Sequence, residues 1–303
     1  MSRYALEGKV VTMDSNFRVL DRGVVYVDGE QIAAVEAFGA PRPDGFEDCT
    51  MVRTGGTIYP GLIELHNHLS YNALPLWDVP KKYSNRSQWR GKTYYRRTVT
   101  GPMKALGITP GYLGAIVRFV ECKCLMGGVT SSQGISLQSN QGIRKYYRGI
   151  VRNVEATVDE AVLPSADTRI ADVPPDYAER FKERLASPSC SCFLLHLSEG
   201  VDDETRKHFE ALKLQSGDWA INDRLAGIHC ACLNDEDFRI LRQHHASVVW
   251  SPMSNLLLYG ATVDIKALKA ENLLVGIGSD WSPTGSKNLL GELKVARLVS
   301  KHE

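Results

Sequence analysis

The chain of 303 residues carries 36 lysines and arginines against 35 aspartates and glutamates, a formal net charge of +1, and 43% of its residues are hydrophobic. This balance excludes the strongly basic footprint of a nucleic-acid-binding protein, and no uninterrupted apolar stretch is long enough to span a bilayer. The N-terminal residues MSRYALEGKV lack the regions of a secretory signal, and an odd number of cysteines, seven, argues against a full disulfide framework. We therefore expect a globular protein of the cytoplasm that binds neither nucleic acid nor membrane.

Residues 1–57 have the pattern of short strands joined by turns. The segments VVTMD and GVVYVDGEQIAAVEA are rich in β-branched and apolar residues, and Asp28-Gly29 inside the second is a hairpin signal. A loop rich in proline and glycine, GAPRPDGFED, follows. These residues predict a small β-unit ahead of the main domain.

From residue 58 onward, short apolar segments alternate with segments of helical period. Those with strand character are 58–66, 127–134, 149–156, 191–197, 225–230, 246–251 and 273–279. The helix candidates are 111–126, 175–187, 202–214, 234–244 and 263–271. Such alternation predicts a parallel sheet, and the length of residues 58–303 is close to the roughly 250 residues of an eight-fold barrel. The expected fold class is therefore α/β, a (β/α)8 TIM-like barrel, with its remaining strand near 158–173, where the pattern is poor.

A long segment between the first strand and the first helix, residues 77–98, is too polar and aromatic for a core element. It predicts a loop over one end of the barrel, where substrate contacts usually lie. Trp77, Tyr83 and Trp89 in this loop are consistent either with an aromatic lid or with simple packing.

Candidate reactive residues follow the predicted strands. The first strand ends on His66-Asn67-His68, and because side chains alternate along a strand, His66 and His68 face the same way. Two adjacent imidazoles can share a metal ion, although isolated His-x-His pairs are mostly coincidental.

Metal-ligating residue types recur at three further strand ends, which is where reactive groups gather in such barrels. His196 and then Glu199 follow the strand CFLLHL, His229 ends LAGIHC, and Asp280 ends LLVGIGSD. Taken alone, Glu199 is equally consistent with a solvated or capping residue, and Asp280 with a turn or helix cap. Recurrence at four strand ends favours one metal site formed by His66, His68, His196 and Asp280.

Several segments together resemble the amidohydrolase superfamily, and in particular its cytosine, guanine and adenosylhomocysteine deaminases and triazine hydrolases. They are YPGLIELHNH, HLSEG, GIHCACLNDEDF, WSPMSNLLLYGA and GIGSDWSPTGSKNLLGELKVA, and the resemblance covers nearly the whole sequence. It implies that residues 1–57 form half of a β-sandwich and that residues 58–303 form a metal-dependent hydrolase barrel.

The resemblance also implies roles for single residues. His66, His68, His196 and Asp280 would ligate one divalent metal, His229 would lie beside the reacting centre, and Glu199 would carry protons. Asp280 would accept a proton from the metal-bound water, and Glu199 would protonate a ring nitrogen and then the departing amine.

Three positions depart from the family pattern. Glu64 stands where an aspartate is usual. Residues 149–156 contain no lysine to bridge a second metal, so we expect one ion. The sequence ends at KVARLVSKHE, within the helix expected after the last strand, where members continue. The last helix is therefore expected to be incomplete, and the sequence to be truncated at its C-terminal end relative to the family.

The expected substrate is small, planar and rich in nitrogen. Gln133 at a strand end could bond a ring edge, Asn255 could line the pocket or only hold a turn, and Trp281 could stack on a ring or simply pack. Imidazole and carboxylate ligands suit zinc, which we favour, or iron. The leading hypothesis is deamination of a heterocycle.

Other interpretations stay open at this point. Hydrolysis of a small or cyclic amide, or of a ring halide, would use the same site. A catalytically inactive fragment or scaffold is the alternative of another class, and an unpaired sheet edge would favour a homo-oligomer.

Overall fold

The computed structural model describes residues 3–135, 142–157, 160–161 and 163–302. Its internal contacts divide the protein into two compact units, Met1–Gly61 and Leu62–Glu303. The predicted boundary lies between residues 57 and 58. Within the described residues, no helix has the length and apolar character needed to cross a membrane.

The first unit contains one four-stranded sheet in the order β3-β2-β1-β4. Its strands are β1 (Arg3–Val11), β2 (Val19–Asp28), β3 (Gln31–Ala37) and β4 (Thr50–Ile58). β2 pairs antiparallel with both β1 and β3, whereas β1 and β4 run parallel. The hairpin predicted at Asp28-Gly29 is confirmed, because Asp28 pairs with Gln31 and Gly29 takes the positive φ of +61° that the tight turn requires.

The second unit contains two parallel sheets. A three-stranded sheet has the order β5-β6-β7, and a five-stranded sheet has the order β12-β11-β10-β9-β8. The strands are β5 (Leu62–Glu64), β6 (Val129–Ser132), β7 (Arg152–Asn153), β8 (Asp167–Arg169), β9 (Phe193–Leu197), β10 (Leu225–His229), β11 (Ser247–Trp250) and β12 (Leu274–Ile277). Each predicted strand of this part has a counterpart, and β8 lies in the weak segment 158–173, of which residues 158, 159 and 162 fall outside the described residues.

Backbone hydrogen bonds connect the edges of these two sheets. The amide of Ala166, just before β8, donates to the carbonyl of Val154, just after β7, at 2.7 Å. At the other edge the His68 amide donates to the Asp280 carbonyl at 2.6 Å, and the Asp280 amide donates to the His66 carbonyl at 2.9 Å. The carboxyl ends of the first and last strands of this unit are thereby held side by side.

Nine α-helices occur among the described residues. They are α1 (Thr93–Tyr95), α2 (Gly101–Ile108), α3 (Tyr112–Met126), α4 (Ala178–Ala186), α5 (Asp203–Glu210), α6 (Asp235–Gln243), α7 (Pro252–Tyr259), α8 (Ile265–Ala270) and α9 (Leu289–His302). The five helix predictions correspond to α3, α4, α5, α6 and α8. Helix α6 begins with a capping box in which Asn234 and Asp237 satisfy each other's backbone amides.

The prediction that residues 77–98 form a loop outside the core is wrong in one respect. Trp77, Tyr83 and Trp89 are each at most 9% exposed and belong to a buried aromatic and aliphatic cluster of the second unit. The Trp89 indole N–H donates to the Tyr259 hydroxyl at 3.1 Å, so the polar atom of this ring is satisfied in its buried position.

Candidate active site

Four imidazoles meet at the carboxyl ends of the strands. His66 and His68 follow β5, His196 lies in β9, and His229 ends β10. The ring centre of His66 lies 5.3 Å from that of His68, 4.7 Å from that of His196 and 4.9 Å from that of His229. Asp280, after β12, completes the group, with its Oδ1 3.1 Å from His66 Nε2 and 3.5 Å from His68 Nε2.

These side chains fit a metal ion. Two overlapping sets, His66 with His196 and His229, and His66 with His68 and Asp280, each bring three ligand atoms within 4.8 Å of one another. Their donors are imidazole nitrogens and a carboxylate oxygen, which suit zinc and iron.

Unpartnered nitrogens support this fit. His66 Nδ1 lies 3.1 Å from Gln133 Oε1, and because a carbonyl oxygen can only accept, Nδ1 carries the hydrogen and neutral Nε2 carries a lone pair. That lone pair faces Asp280 Oδ1 at 3.1 Å. Since both atoms are hydrogen-bond acceptors, the contact is repulsive unless a proton or a cation lies between them. His66 Nε2 and His196 Nδ1 are buried without a hydrogen-bond partner, which is costly in an empty protein interior.

Electrostatics favours the metal-binding forms of His68, His196 and Asp280. Burial, together with neighbouring imidazoles, lowers the pKa of His68 to about 4 against the opposing effect of Asp280, and lowers the pKa of His196 well below its ordinary value. Burial alone would raise the pKa of Asp280, but His66 and His68 hold it below its ordinary value. Neutral His68 and His196 and an ionised Asp280 are therefore favoured at neutral pH. The pKa of His66 moves the other way, because burial would lower it but the facing Asp280 carboxylate raises it.

A second layer of hydrogen bonds orients the ligands. The hydroxyl of Ser254 donates to Asp280 Oδ2 at 2.6 Å. The Glu64 carboxylate accepts from the amide of Ser279 at 3.0 Å and from the side-chain amide of Asn67 at 2.8 Å, so it fixes the backbone next to Asp280 and His66. Burial raises the pKa of Glu64 above its ordinary value.

His229 is held from its far side. Its Nδ1 lies 2.8 Å from Asn255 Oδ1, while the Asn255 side-chain nitrogen donates to Thr262 Oγ1 at 3.2 Å. The Asn255 oxygen therefore faces the imidazole, which places the hydrogen on Nδ1 and a lone pair on Nε2. Burial lowers the pKa of His229, against the opposing effect of Glu199, so the neutral ring is favoured.

Glu199 lies beside the His229 ring. Its carboxylate accepts hydrogen bonds from two residues that sequence analysis does not identify, Arg86 and Tyr259. Its Oε2 is 3.9 Å from His229 Nε2 and accepts from Arg86 Nη1 at 3.1 Å, while Tyr259 Oη donates to Oε1 at 2.7 Å. Arg86 also donates to Asp172 Oδ2 at 2.9 Å. Arg86 comes from the segment after β5 and Tyr259 from the end of α7, so only the fold brings them to this carboxylate.

Backbone strain is concentrated at the same strand ends. Ser198, His229 and Asp280 have φ angles of 53°, 70° and 65°, in the left-handed region that non-glycine residues rarely adopt. Such strain is typical of functional sites, where the surrounding structure holds it in place.

The group opens into a cavity of about 740 Å³. Its buried part is lined by His68, His196, Glu199, His229 and Asp280, and its walls include Trp89, Tyr95 and Trp281. The volume lies within the roughly 300–1,000 Å³ typical of small-molecule sites.

The structure thus brings together His66, His68, His196, Glu199, His229 and Asp280. Trp281 lines the cavity with its ring centre 5.6 Å from that of His68. Gln133 and Asn255 are not among the residues that line the cavity, and their side chains contact His66 and His229 instead. Substrate contact by these two residues stays a prediction, and the observed bonds favour a positioning role.

Known proteins resemble this one in sequence and fold, and the sequence spans about 72–73% of the length of those described here. The chain is 30% identical over 319 residues to a 5-methylthioadenosine/S-adenosylhomocysteine deaminase of Clostridium tetani, covering 96% of this sequence and 72% of that protein. It is 22% identical to an S-triazine hydrolase of Gordonia rubripertincta, over 99% of this sequence and 73% of that one. No family model matches the sequence.

A solved structure extends the likeness to the fold. An atrazine chlorohydrolase from Arthrobacter aurescens complexed with zinc superposes with a TM-score of 0.70 at 17% identity, covering 93% of this protein and 73% of that one. Fold and strand-end residues together define a hydrolase of the amidohydrolase type. The protein belongs to the branch of the amidohydrolase superfamily that contains the methylthioadenosine and adenosylhomocysteine deaminases and the triazine hydrolases.

Proposed function

We propose that this protein is a metal-dependent hydrolase that deaminates a nitrogen heterocycle, breaking a C–N bond other than a peptide bond. The observation that carries the proposal is the convergence of four imidazoles and Asp280, of which His68, His196, His229 and Asp280 line one cavity together with Glu199. The relatives named as deaminases and triazine hydrolases support it.

We further propose that His66, His68, His196 and Asp280 hold one divalent ion, with zinc favoured over iron. The unpartnered nitrogens of His66 and His196 support the ion, and the zinc complex of the chlorohydrolase supports its identity. When bound, such an ion lowers the pKa of a coordinated water from about 15.7 toward about 7 and so supplies hydroxide at neutral pH.

The protein's own residues then move protons and orient the ring. Asp280 accepts the proton of the attacking water on its carboxylate, whose Oδ2 Ser254 anchors. His229, held through Nδ1 by Asn255, presents the lone pair of Nε2 to the reacting centre. Glu199, fixed between Arg86 and Tyr259, relays the two protons that the attacking water gives up, the first to a ring nitrogen and the second to the amine, which leaves as ammonia. Proton transfer of this kind is worth roughly 10²–10⁴ in rate.

The finer architecture belongs to the same proposal. Strands β5–β12 would close into one (β/α)8 barrel, supported by the hydrogen bonds that join both sheet edges. Residues 1–57 would be the β-sandwich segment and residues 58–303 the barrel domain. Trp281 would face the substrate ring, while Gln133 and Asn255 would act by holding His66 and His229.

The test compares product release by the purified protein before and after zinc loading. Heterocyclic amines, cyclic amides and chlorinated triazines are offered, with release of ammonia, ring opening and release of chloride as separate readouts. We expect ammonia to be released only by the zinc-loaded protein. Ring opening or chloride release without ammonia would replace deamination by one of the two alternatives.

A pair of matched variants assigns the proton carrier. Glu199→Gln should retain the ion and lose at least about 10²-fold in kcat. Glu204→Gln, on the exposed face of α5, is the control and should retain activity. A fully active Glu199→Gln enzyme would refute the assigned role.

A further inference from the structure

The outer part of the cavity carries positive charge that no acid of the described residues neutralises. Arg90, Arg96 and Lys104 line the same cavity as the catalytic group, and all three are exposed, whereas the catalytic residues are buried. We call these three residues the basic rim. They lie on either side of α1 and in α2.

Within the described residues, no side chain of the basic rim forms an ion pair or a hydrogen bond. Arg86 of the same segment differs, because it is engaged by Glu199 and Asp172. Among the described residues, the only carboxylates that line the cavity are Glu199 and Asp280, and both already have partners in its buried part. The basic rim therefore has three unpaired cations that are available to bind a ligand in the cavity.

The cavity is larger than a bare heterocycle requires. At ~30 Å³ per heavy atom, the volume of one water in the liquid, a purine of about eleven heavy atoms takes up about 330 Å³. This is less than half of the cavity of about 740 Å³. If the ring lies against Trp281 and Trp89 with its amine at the catalytic group, a substituent on the ring has room to extend to the rim.

We propose that the substrate carries an anionic group, with a phosphomonoester favoured, and that the basic rim binds it. This inference rests on the proposed function, since the anion is placed relative to the reacting ring. Guanidinium groups pair with phosphate through two parallel hydrogen bonds, and a lysine adds a compact charge. A zwitterionic tail fits less well, because the rim has no unpaired carboxylate to receive its ammonium group.

The experiment separates binding from turnover. Calorimetric titration of the purified protein uses a purine nucleoside 5′-monophosphate, the uncharged nucleoside, the corresponding 5′-carboxylate and an analogue that ends in an α-amino carboxylate. We expect the monophosphate to bind at least ten-fold more tightly than the uncharged nucleoside, with an advantage that shrinks as salt is raised. If the 5′-carboxylate gains as much affinity over the uncharged nucleoside as the monophosphate does, anion binding is supported and the natural anionic group is a carboxylate. An equal gain for the zwitterion, or no gain for any anion, overturns the proposal.

Variants assign the effect to the rim. In Arg90→Gln/Arg96→Gln/Lys104→Met the affinity ratio of monophosphate to nucleoside should fall at least ten-fold. The control is Arg97→Gln, which alters an exposed arginine that neighbours Arg96 and does not line the cavity. A ratio unchanged in the triple variant, or lost equally in the control, contradicts the assignment. Calorimetry measures binding and the ammonia assay measures deamination. A failure of the anion-binding proposal can therefore be told apart from a failure of the proposed function.

Discussion

Replacing Arg86 by glutamine removes the cation that pairs with the proposed proton carrier, Glu199. The guanidinium donates to Glu199 Oε2 at 3.1 Å, to Asp172 Oδ2 at 2.9 Å and to the carbonyl of Ile170 at 2.6 Å. Burial lowers the pKa of Arg86, but Glu199 and Asp172 raise it overall, so the group is a fixed cation. Its substitution leaves a buried carboxylate with one partner fewer.

The expected loss of stability follows from this burial. The Arg86 side chain is 11% exposed and that of Glu199 is 5% exposed, and breaking such a buried pair costs about 3–5 kcal/mol. Tyr259 still donates to Glu199, so we expect the lower end, about 3 kcal/mol. Because displacement of a catalytic group by about 1 Å can cost 10²-fold, kcat should fall by a comparable factor.

The assay is urea unfolding followed by two spectroscopic probes, together with steady-state kinetics. Arg184→Gln is the matched control, because its ion pair with Asp167 is 45% and 30% exposed and should contribute at most about 1 kcal/mol. If Arg86→Gln destabilises the protein no more than Arg184→Gln does and leaves kcat unchanged, the reasoning about Glu199 is refuted.

Three further predictions concern positioning and packing. Asn255→Leu removes the acceptor that orients His229 and should lower kcat about 10–100-fold in steady-state kinetics, while retention of full kcat would exclude that role. Gln133→Leu removes the bond to His66 Nδ1 and should weaken zinc binding about 10–100-fold in a competitive chelator titration, unless the bond is dispensable and affinity is unchanged. Phe181→Ala in the core should cost about 3–5 kcal/mol in urea unfolding without changing zinc stoichiometry, and a loss below about 1 kcal/mol would contradict its burial.

Much of the site could be predicted because parallel strands bring their carboxyl ends to one edge. Three of the residues, His66, His196 and Asp280, are far apart in the sequence, yet each lies at the end of a short apolar segment. That position can be recognised from the sequence without knowledge of the fold. The direction of a side chain is harder to read. The sequence predicts Gln133 and Asn255 beside the substrate, which stays a prediction, but it does not reveal that their amide oxygens lie against the imidazoles of His66 and His229.

Arg86 and Tyr259 could not be predicted for a related reason. Arg86 lies in a segment whose aromatic and polar residues follow neither the helical nor the strand period, so its burial depends on contacts distant in the sequence. Tyr259 ends a helix that was not predicted, α7, which opens with Pro252 at its first position and stops at Gly260 with a φ of +76°. A proline at the start and a glycine at the end are typical of a helix. The apolar residues between Pro252 and Gly260 are consistent with a strand as well.

The most direct measurement of the central claim is a zinc titration of the metal-stripped protein with ammonia release as the readout. We predict that the rate of release from a heterocyclic amine rises in proportion to added zinc, stops rising at about one ion per protein molecule, and is absent at every zinc level in His66→Ala. His302→Ala, an exposed histidine on α9, should follow the unsubstituted protein. Ammonia release by the stripped protein, or a His66→Ala variant as active as the control, would contradict metal-dependent deamination at this site.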